Sequence, residues 1–153
     1  MTGDATRTMT GGCQCKRVRY SVAIADDEAY LCHCDMCKRA TGGVSVAFKN
    51  VAVADIKWTA AEPDWYRSSP IAERPFCATC GTPLGFHFLE GSPNMDLTVG
   101  SFDEPGFFRP TSNFSIETRL DAWSDTSHLP GKRLDEHANV VDRWVKAVGH
   151  YPR

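Results

Sequence analysis

The sequence predicts a mainly β domain with one helix near its C-terminus. Short segments with alternating, β-branched or aromatic residues recur along the chain, as half-buried strands require. Segments rich in Gly, Pro and Asn, which form turns, separate them. Only residues 134–148 place apolar side chains at helical spacing. Because 153 residues, 42% of them hydrophobic, suffice for one core, we predict a flexible tail over residues 1–10 and a single domain over residues 11–150.

The predicted elements follow one another with clear breaks between them. Residues 16–24, KRVRYSVAI, alternate polar and apolar side chains and predict the first strand. Residues 34–41 predict a compact turn or short helix, which Gly42 and Gly43 end. The helix over residues 134–148 has Gly149 as its predicted end. The remaining strand candidates are residues 30–32, 44–48, 56–59, 65–68, 83–89, 95–101 and 115–120.

Charge and hydropathy argue against two classes of partner. A formal net charge of −2 gives no electrostatic reason to expect nucleic acid or an anionic membrane surface. Residues 1–11 lack the apolar core of a secretory signal, and no apolar run approaches the roughly 20 residues that cross a bilayer. We therefore expect a cytoplasmic protein whose thiols stay reduced. The sequence predicts no particular oligomeric state.

Seven cysteines in three groups carry the strongest chemical signal in the chain. Cys13 and Cys15 form a C-x-C pair, and Cys77 and Cys80 form a C-x-x-C pair. Each spacing directs two sulfurs to one side, and Gly81 suits the left-handed conformation that often closes a C-x-x-C turn. Since four sulfurs satisfy tetrahedral zinc, the two pairs together predict a structural zinc site.

Cys32, Cys34 and Cys37 remain as a local cluster of three. Three protein ligands leave a fourth position for water or substrate, as in catalytic zinc sites. Alternatively, His33 or a distant histidine closes the site, or two of the cysteines form a disulfide when metal is absent. His33 lies between two ligands, so in extended chain its side chain should point away from them. The other histidines are interpreted as core or solvated residues: His87, His128, His137 and His150.

Four strings of the sequence resemble one known family. GGCQCKRVRY, CHCDMCKRATGG, RPFCATCGTPLGFHF and LTVGSFDEP are similar to the glutathione-dependent formaldehyde-activating enzyme family, which includes centromere protein V. The similarity runs in register over residues 11–125. Where family members often carry a histidine followed by an apolar residue, this sequence has Asn113 and Phe114.

The resemblance implies a fold, two metal sites and a reaction. The fold is a zinc-stabilised complex β-roll of short strands, of the MSS type. The implied ligands of the structural zinc are Cys13, Cys15, Cys77 and Cys80, and those of the catalytic zinc are Cys32, Cys34 and Cys37. The implied reaction is the condensation of formaldehyde with glutathione to S-hydroxymethylglutathione, a carbon–sulfur lyase activity.

We therefore expect a zinc-dependent enzyme, with two zinc ions per chain, that acts on adducts of an aldehyde with a thiol such as glutathione. Glutathione carries two carboxylates, so a basic rim is expected near the catalytic cysteines. Lys38 and Arg39 directly follow Cys37 and are the first candidates, with Arg74 as another. The alternative hypothesis is a zinc-stabilised interaction module, or a zinc or redox sensor, without catalysis.

Other side chains have possible roles beside the predicted catalytic zinc, although each has a simpler structural explanation. Aromatic residues of a small β domain usually belong to its core, but some could wall a pocket. An acidic residue within the cysteine run could accept a proton or merely cap the turn. These candidates are Phe48, Phe76 and Trp123 for the walls and Asp35 for the acid.

Overall fold

A computed structural model describes residues 6–131 and 133–151 of the chain. By their internal contacts these residues divide into two compact units, one ending at Leu120 and one beginning at Asp121. The single domain that the sequence pattern predicts over residues 11–150 stays a prediction. All of the cysteines lie in the first unit.

The first unit is built almost entirely of short strands, which confirms the predicted mainly β class. A short helix, α1 (Asp35–Thr41), follows the third strand. The strands in the described residues are β1 (Arg7–Gly12), β2 (Arg19–Ile24), β3 (Glu28–Cys32), β4 (Val46–Ala52), β5 (Ile56–Trp58), β6 (Asp64–Ser69), β7 (Ala72–Phe76), β8 (Gly85–Phe88), β9 (Asn94–Thr98) and β10 (Arg109–Phe114).

These strands form two sheets in the described part of the chain. The smaller has the order β1-β2-β5, and the larger has the order β10-β3-β4-β9-β8-β7-β6. The pair of β3 and β10 is parallel, and the other pairs are antiparallel. Since β10 pairs with β3 from a distant part of the sequence, it brings residues 109–114 beside the strand that ends at Cys32.

The hydrophobic core centres on β2, whose alternating sequence buries every second side chain. Tyr20 is fully buried, and its hydroxyl lies 2.8 Å from the Ser101 hydroxyl. Its ring packs edge-on against Trp58 and Phe102. Gly11 faces this ring so closely that an added Cβ would lie 2.4 Å from the tyrosine oxygen, so only glycine fits there.

The N-terminal strand begins earlier than its composition suggests. The sequence predicts a flexible tail over residues 1–10, but residues 7–10 belong to β1, which pairs antiparallel with β2. In β1, Met9 is the large apolar residue that enters the core, while Thr8 and Thr10 are exposed. One buried methionine between polar residues gives little alternation for a sequence pattern to detect. Residues 1–5 lie outside the described part of the chain.

Strands β7 and β10 have no counterpart among the predicted elements, and residues 115–120 are not the strand that was predicted. In β7 the buried residues include Arg74 and Pro75, which a hydropathy pattern treats as exposed or strand-breaking. All residues of β10 are exposed, so they show no alternation. Residues 115–120 contain a 3-10 turn at Ile116–Thr118 that follows Ser115 in a left-handed conformation with φ of 57°.

The second unit contains the predicted C-terminal helix. Helix α2 (Ala138–Val148) ends at Gly149, which adopts a left-handed conformation and donates its amide to the carbonyl of Val145. The predicted start at residue 134 corresponds to a separate 3-10 turn, Leu134–Glu136. Neither α1 nor α2 is long and apolar enough to cross a membrane, and the same holds for every helix in the described residues.

Candidate metal centres

The two cysteine pairs that the sequence assigns to one ion come together in the structure. Cys13 and Cys15 lie in the β1–β2 connection, and Cys77 and Cys80 lie in the β7–β8 connection. All four Sγ atoms lie within 4.8 Å of one another. The Sγ atom of Cys15 is 3.6 Å from that of Cys13 and 3.7 Å from that of Cys77. A tetrahedron with metal–sulfur bonds of about 2.3 Å has edges of about 3.8 Å, so the four thiols fit such a site.

Each pair sits in a turn that the backbone closes on its first cysteine. The amide of Lys16 donates to the carbonyl of Cys13 at 3.1 Å, and the amide of Gly81 donates to that of Cys77 at 2.7 Å. Both donors have positive φ, 66° and 79°. Thr82 connects the two turns, because its hydroxyl oxygen accepts from the backbone amide of Gln14 at 3.0 Å.

Thr82 also prepares one of the four thiols for metal binding. Its hydroxyl lies 3.2 Å from Cys80 Sγ, and hydrogen bonds from its hydroxyl and its amide lower the pKa of that thiol to about 5. A thiolate, not a thiol, is the metal ligand, so this environment favours binding.

The three remaining cysteines form a second cluster at the end of β3 and the start of α1. The Sγ atoms of Cys32, Cys34 and Cys37 lie within 4.8 Å of one another. Cys34 is the N-cap of α1, where its sulfur accepts the amide of Cys37 at 3.2 Å. Among the described residues no histidine or carboxylate joins this cluster, and all seven thiols are free.

His33 points away from the cluster, as its position between two of the cysteines predicts. Its Nε2 lies 2.9 Å from Asn113 Oδ1, and its amide donates to the carbonyl of Phe114 at 2.9 Å. The imidazole is thus engaged with β10 rather than with the three sulfurs. The alternative in which His33 closes the second site is therefore not what this structure shows.

A buried arginine sets the electrostatics of the three-cysteine cluster. Arg74 is only 4% exposed, and its Nη2 donates to Cys37 Sγ at 3.4 Å. Burial raises the pKa of Cys32, and raises that of Cys37 to about 12. Burial also opposes ionisation of Cys34, but the Cys37 amide, the neighbouring thiols and Arg74 together lower its pKa. Cys34 is consequently the thiol of this cluster that ionises most readily.

The three cysteines line a cavity of about 520 Å³, which is within the range of small-molecule sites. Its buried lining includes Phe48, Arg74 and Asp96 as well as two of the thiols. The exposed lining at the mouth is mostly apolar: it comprises Met36, Ile71, Phe88 and Phe114 together with the polar Asn50 and Ser112. The cluster therefore has one side open to a space that a ligand could occupy.

Residues 8–118 match the sequence model of the family described as glutathione-dependent formaldehyde-activating enzyme. The chain belongs to this family. The match covers both cysteine clusters and the cavity beside the second one, and it confirms the resemblance that the four sequence strings indicate.

Two known proteins are similar to this member of the formaldehyde-activating family. One is an uncharacterized lyase of Schizosaccharomyces pombe, 31% identical over 81 residues, which are 53% of this chain and 58% of that protein. The other is a protein of Rhodobacter sphaeroides with a crystal structure. It matches with a TM-score of 0.55 at 20% identity over 70% of this chain and 100% of that chain, which supports the fold alone.

Two of the three candidates for the predicted basic rim, Lys38 and Arg39, lie outside the described lining of the cavity. Lys38 Nζ donates to the carbonyl of Thr118 at 2.7 Å and lies 3.0 Å from the carboxylate of Asp35. Arg39 is exposed, and neither basic residue is among the described residues that line the cavity. Asp35 thus pairs with Lys38 on α1 rather than facing the cysteines. Arg74, the third basic candidate, does line the cavity.

Of the aromatic candidates, Phe48 lines the cavity, whereas Phe76 lies outside its lining and Trp123 belongs to the second unit. Sequence reasoning missed Asp96, which lines the cavity and is only 9% exposed. Burial raises the pKa of Asp96, although Asn50 Nδ2 donates to its Oδ1 at 2.9 Å and the Tyr30 hydroxyl also bonds to it. The available sequence signal was the position of Asp96 between the apolar Met95 and Leu97 of a predicted strand.

Proposed function

We propose that this protein is a zinc-dependent enzyme of the carbon–sulfur lyase type that makes and breaks adducts of an aldehyde with a thiol such as glutathione. The observation that carries the proposal is the second cysteine cluster. It has three thiols, no further histidine or carboxylate ligand among the described residues, and a ligand-sized cavity along one side. The first cluster has a complete set of four ligands and is proposed to bind a structural zinc.

The proposed chemistry balances without any other reactant. The sulfur of the thiol forms a bond to the aldehyde carbon, and the proton of the thiol ends on the former carbonyl oxygen, giving a hemithioacetal. In the reverse direction the carbon–sulfur bond breaks and the proton returns to sulfur. A zinc ion held by Cys32, Cys34 and Cys37 would supply the positive charge that lowers the pKa of a thiol at its open position.

Side chains of the cavity support the remaining steps. Arg74 places a positive charge beside the three sulfurs, which stabilises their ionised form. Asp96 is the carboxyl group in the cavity lining, and its raised pKa suits a group that exchanges a proton with the carbonyl oxygen. The buried Phe48 helps to exclude water from the cavity wall. Because all seven thiols are free and must stay reduced to bind metal, we expect the enzyme to act in a reducing compartment such as the cytoplasm.

The proposal is tested by measuring chemical exchange between formaldehyde, glutathione and their adduct by NMR. The zinc-loaded protein should accelerate the exchange in proportion to its concentration. Cys34→Ser should abolish the acceleration. The control variant Val53→Ser should keep it, because Val53 is 42% exposed and is not among the described lining residues. Exchange that stays at its uncatalysed rate with a fully zinc-loaded protein, for a range of thiols and aldehydes, would disprove the proposed function.

A further inference from the structure

We propose that the adduct handled at this site carries an apolar, ring-sized group, so that the preferred pair is not glutathione with formaldehyde. The inference rests on the proposed function, because it concerns the same cavity. The apolar group could belong to the thiol or to the aldehyde, and the cavity would recognise the same chemistry in either case. The cavity wall is rich in apolar side chains, and its two charged residues, Arg74 and Asp96, do not favour a carboxylate ligand.

Four of the six exposed residues in the described cavity lining are large apolar side chains, and they come from four separate elements; the other two are Asn50 and Ser112. Met36 comes from α1, Ile71 from the β6–β7 turn, Phe88 from β8 and Phe114 from the end of β10. They are 58%, 63%, 44% and 66% exposed. Large apolar side chains that converge on one opening from distant parts of a sequence indicate a binding surface rather than scattered exposure.

Aromatic rings continue the apolar surface inward from this mouth. Phe88 packs edge-on against Phe86, with ring centroids 5.0 Å apart. The ring centroid of Tyr30 lies 5.8 Å from that of the buried Phe48 and 6.4 Å from that of Phe114. Tyr30, Phe48 and Phe86 therefore give the cavity that holds the three cysteines an aromatic surface, which suits a flat apolar group.

The charged residues of the lining do not suit glutathione, which carries two carboxylates. Arg74 is the cation in the described lining, and it is already engaged: it donates to Cys37 Sγ, and its guanidinium lies 5.0 Å over the Phe86 ring. Asp96 would repel a carboxylate. A carboxylate drawn into this cavity would lose its hydration without gaining a free cation, so the cavity disfavours it.

The first test compares binding, and it does not depend on catalysis. Binding of two thiols, 2-phenylethanethiol and glutathione, and of two aldehydes, phenylacetaldehyde and formaldehyde, to the zinc-loaded, isotope-labelled protein is followed by NMR. We expect the apolar member of at least one pair to bind at least tenfold more tightly than its partner in that pair and to shift the amide signals of Ile71 and Phe114. If glutathione binds as tightly as the apolar thiol, and phenylacetaldehyde binds no better than formaldehyde, the inference is wrong.

The second test compares exchange rates for three pairs: 2-phenylethanethiol with formaldehyde, glutathione with phenylacetaldehyde, and glutathione with formaldehyde. Acceleration at least tenfold greater for either of the first two pairs supports the inference and shows which half carries the apolar group. Equal or greater acceleration for the third pair overturns it. If no pair is accelerated but the binding preference remains, the proposed function fails while the inference about the ligand stands.

A matched pair of variants connects the preference to the mouth of the cavity. Ile71→Ser changes a 63% exposed residue of the mouth, and Ile116→Ser makes the same change at a 61% exposed residue outside the described lining. Ile71→Ser should lower the ratio of apolar to glutathione binding by at least threefold, and Ile116→Ser should leave that ratio as it is. Equal effects of the two variants would contradict the assignment of the mouth.

Discussion

Arg74 offers a perturbation that should separate metal binding from folding. It is 4% exposed, its Nη2 donates to Cys37 Sγ at 3.4 Å, and its Nε has no hydrogen-bond partner in the described structure. Replacing it with methionine keeps an apolar stem that can pack on Phe86 while removing the buried charge. The variant should therefore bind metal less tightly at the three-cysteine cluster without a matching loss of folding stability.

The expected loss of affinity follows from the contact that the arginine makes. A hydrogen bond to a charged group contributes about 1.5–3 kcal/mol. Since about 1.4 kcal/mol corresponds to a factor of ten, the metal should bind about 10–150-fold more weakly at this cluster. The unfolding free energy of the metal-free protein should stay level or rise, because the charged group and its unpaired Nε no longer have to be desolvated.

The assay is competition for zinc between the protein and a chelator of known affinity. The control is a variant of Arg17, the arginine beside the four-cysteine cluster. Arg17 pairs with Asp64 and hydrogen-bonds to Cys77 of the four-cysteine cluster. Arg17→Met should leave the zinc affinity of the three-cysteine cluster, the weaker of the two binding steps, unchanged. Unchanged affinity of the three-cysteine cluster in Arg74→Met, or an equal loss at both clusters, would refute the role given to Arg74.

Three further predictions concern the cysteines, the core and the buried acid. Cys34→Ser should lose about one zinc per chain and keep its fold, whereas Cys80→Ser should unfold or aggregate, because a structural metal is linked to folding. Metal analysis with thermal unfolding checks this, and equal destabilisation would contradict it. Tyr20→Phe should lower the unfolding free energy in urea by about 1 kcal/mol, since it removes the bond to the Ser101 hydroxyl but keeps the ring; an unchanged midpoint would contradict this. Asp96→Asn should stabilise the protein at neutral pH and impair exchange catalysis. Burial raises the pKa of Asp96 in the native state above its value in the unfolded state. The wild type therefore loses stability as the pH rises from the unfolded-state pKa to the native-state pKa. The advantage of the variant should therefore grow over the same window and vanish below it, and a pH-independent difference in thermal unfolding would contradict this.

The cysteine clusters could be predicted because short spacings between cysteines restrict the directions in which their sulfurs can point. The spacing within a C-x-C pair, a C-x-x-C pair and a run of three directs the sulfurs of each group to one side, and the coordination number of zinc then divides the seven sulfurs into four and three. The first core strand was equally accessible, since Tyr20, Val22 and Ile24 alternate with less buried residues along β2. In both cases the signal is local in sequence.

The surroundings of the second cluster could not be predicted because they depend on contacts between distant segments. β10 has no buried residues and shows no pattern, yet its parallel pairing with β3 brings Asn113 to His33 and Phe114 to the cavity. Arg74 is buried because it faces Cys37, a partner 37 residues away. Such partners exist only once the sheet has formed.

Two of the three candidates for the basic rim lie outside the described cavity lining for a related reason. Lys38 and Arg39 follow Cys37 in sequence, but successive residues of a helix point in different directions, about 100° apart. Lys38 therefore reaches the carbonyl of Thr118 while Cys37 faces the cavity. Proximity in sequence to a ligand is weak evidence for proximity to the open side of its metal.

The central claim is that the seven cysteines form two metal sites that differ in kind, one closed and one open. Native mass spectrometry of the zinc-loaded protein during stepwise addition of a chelator tests it most directly. We predict two zinc ions per chain at the start, a stable species with one zinc ion at intermediate chelator, and loss of that last ion only together with unfolding. A maximum of one zinc ion per chain, or simultaneous loss of both, would contradict the claim.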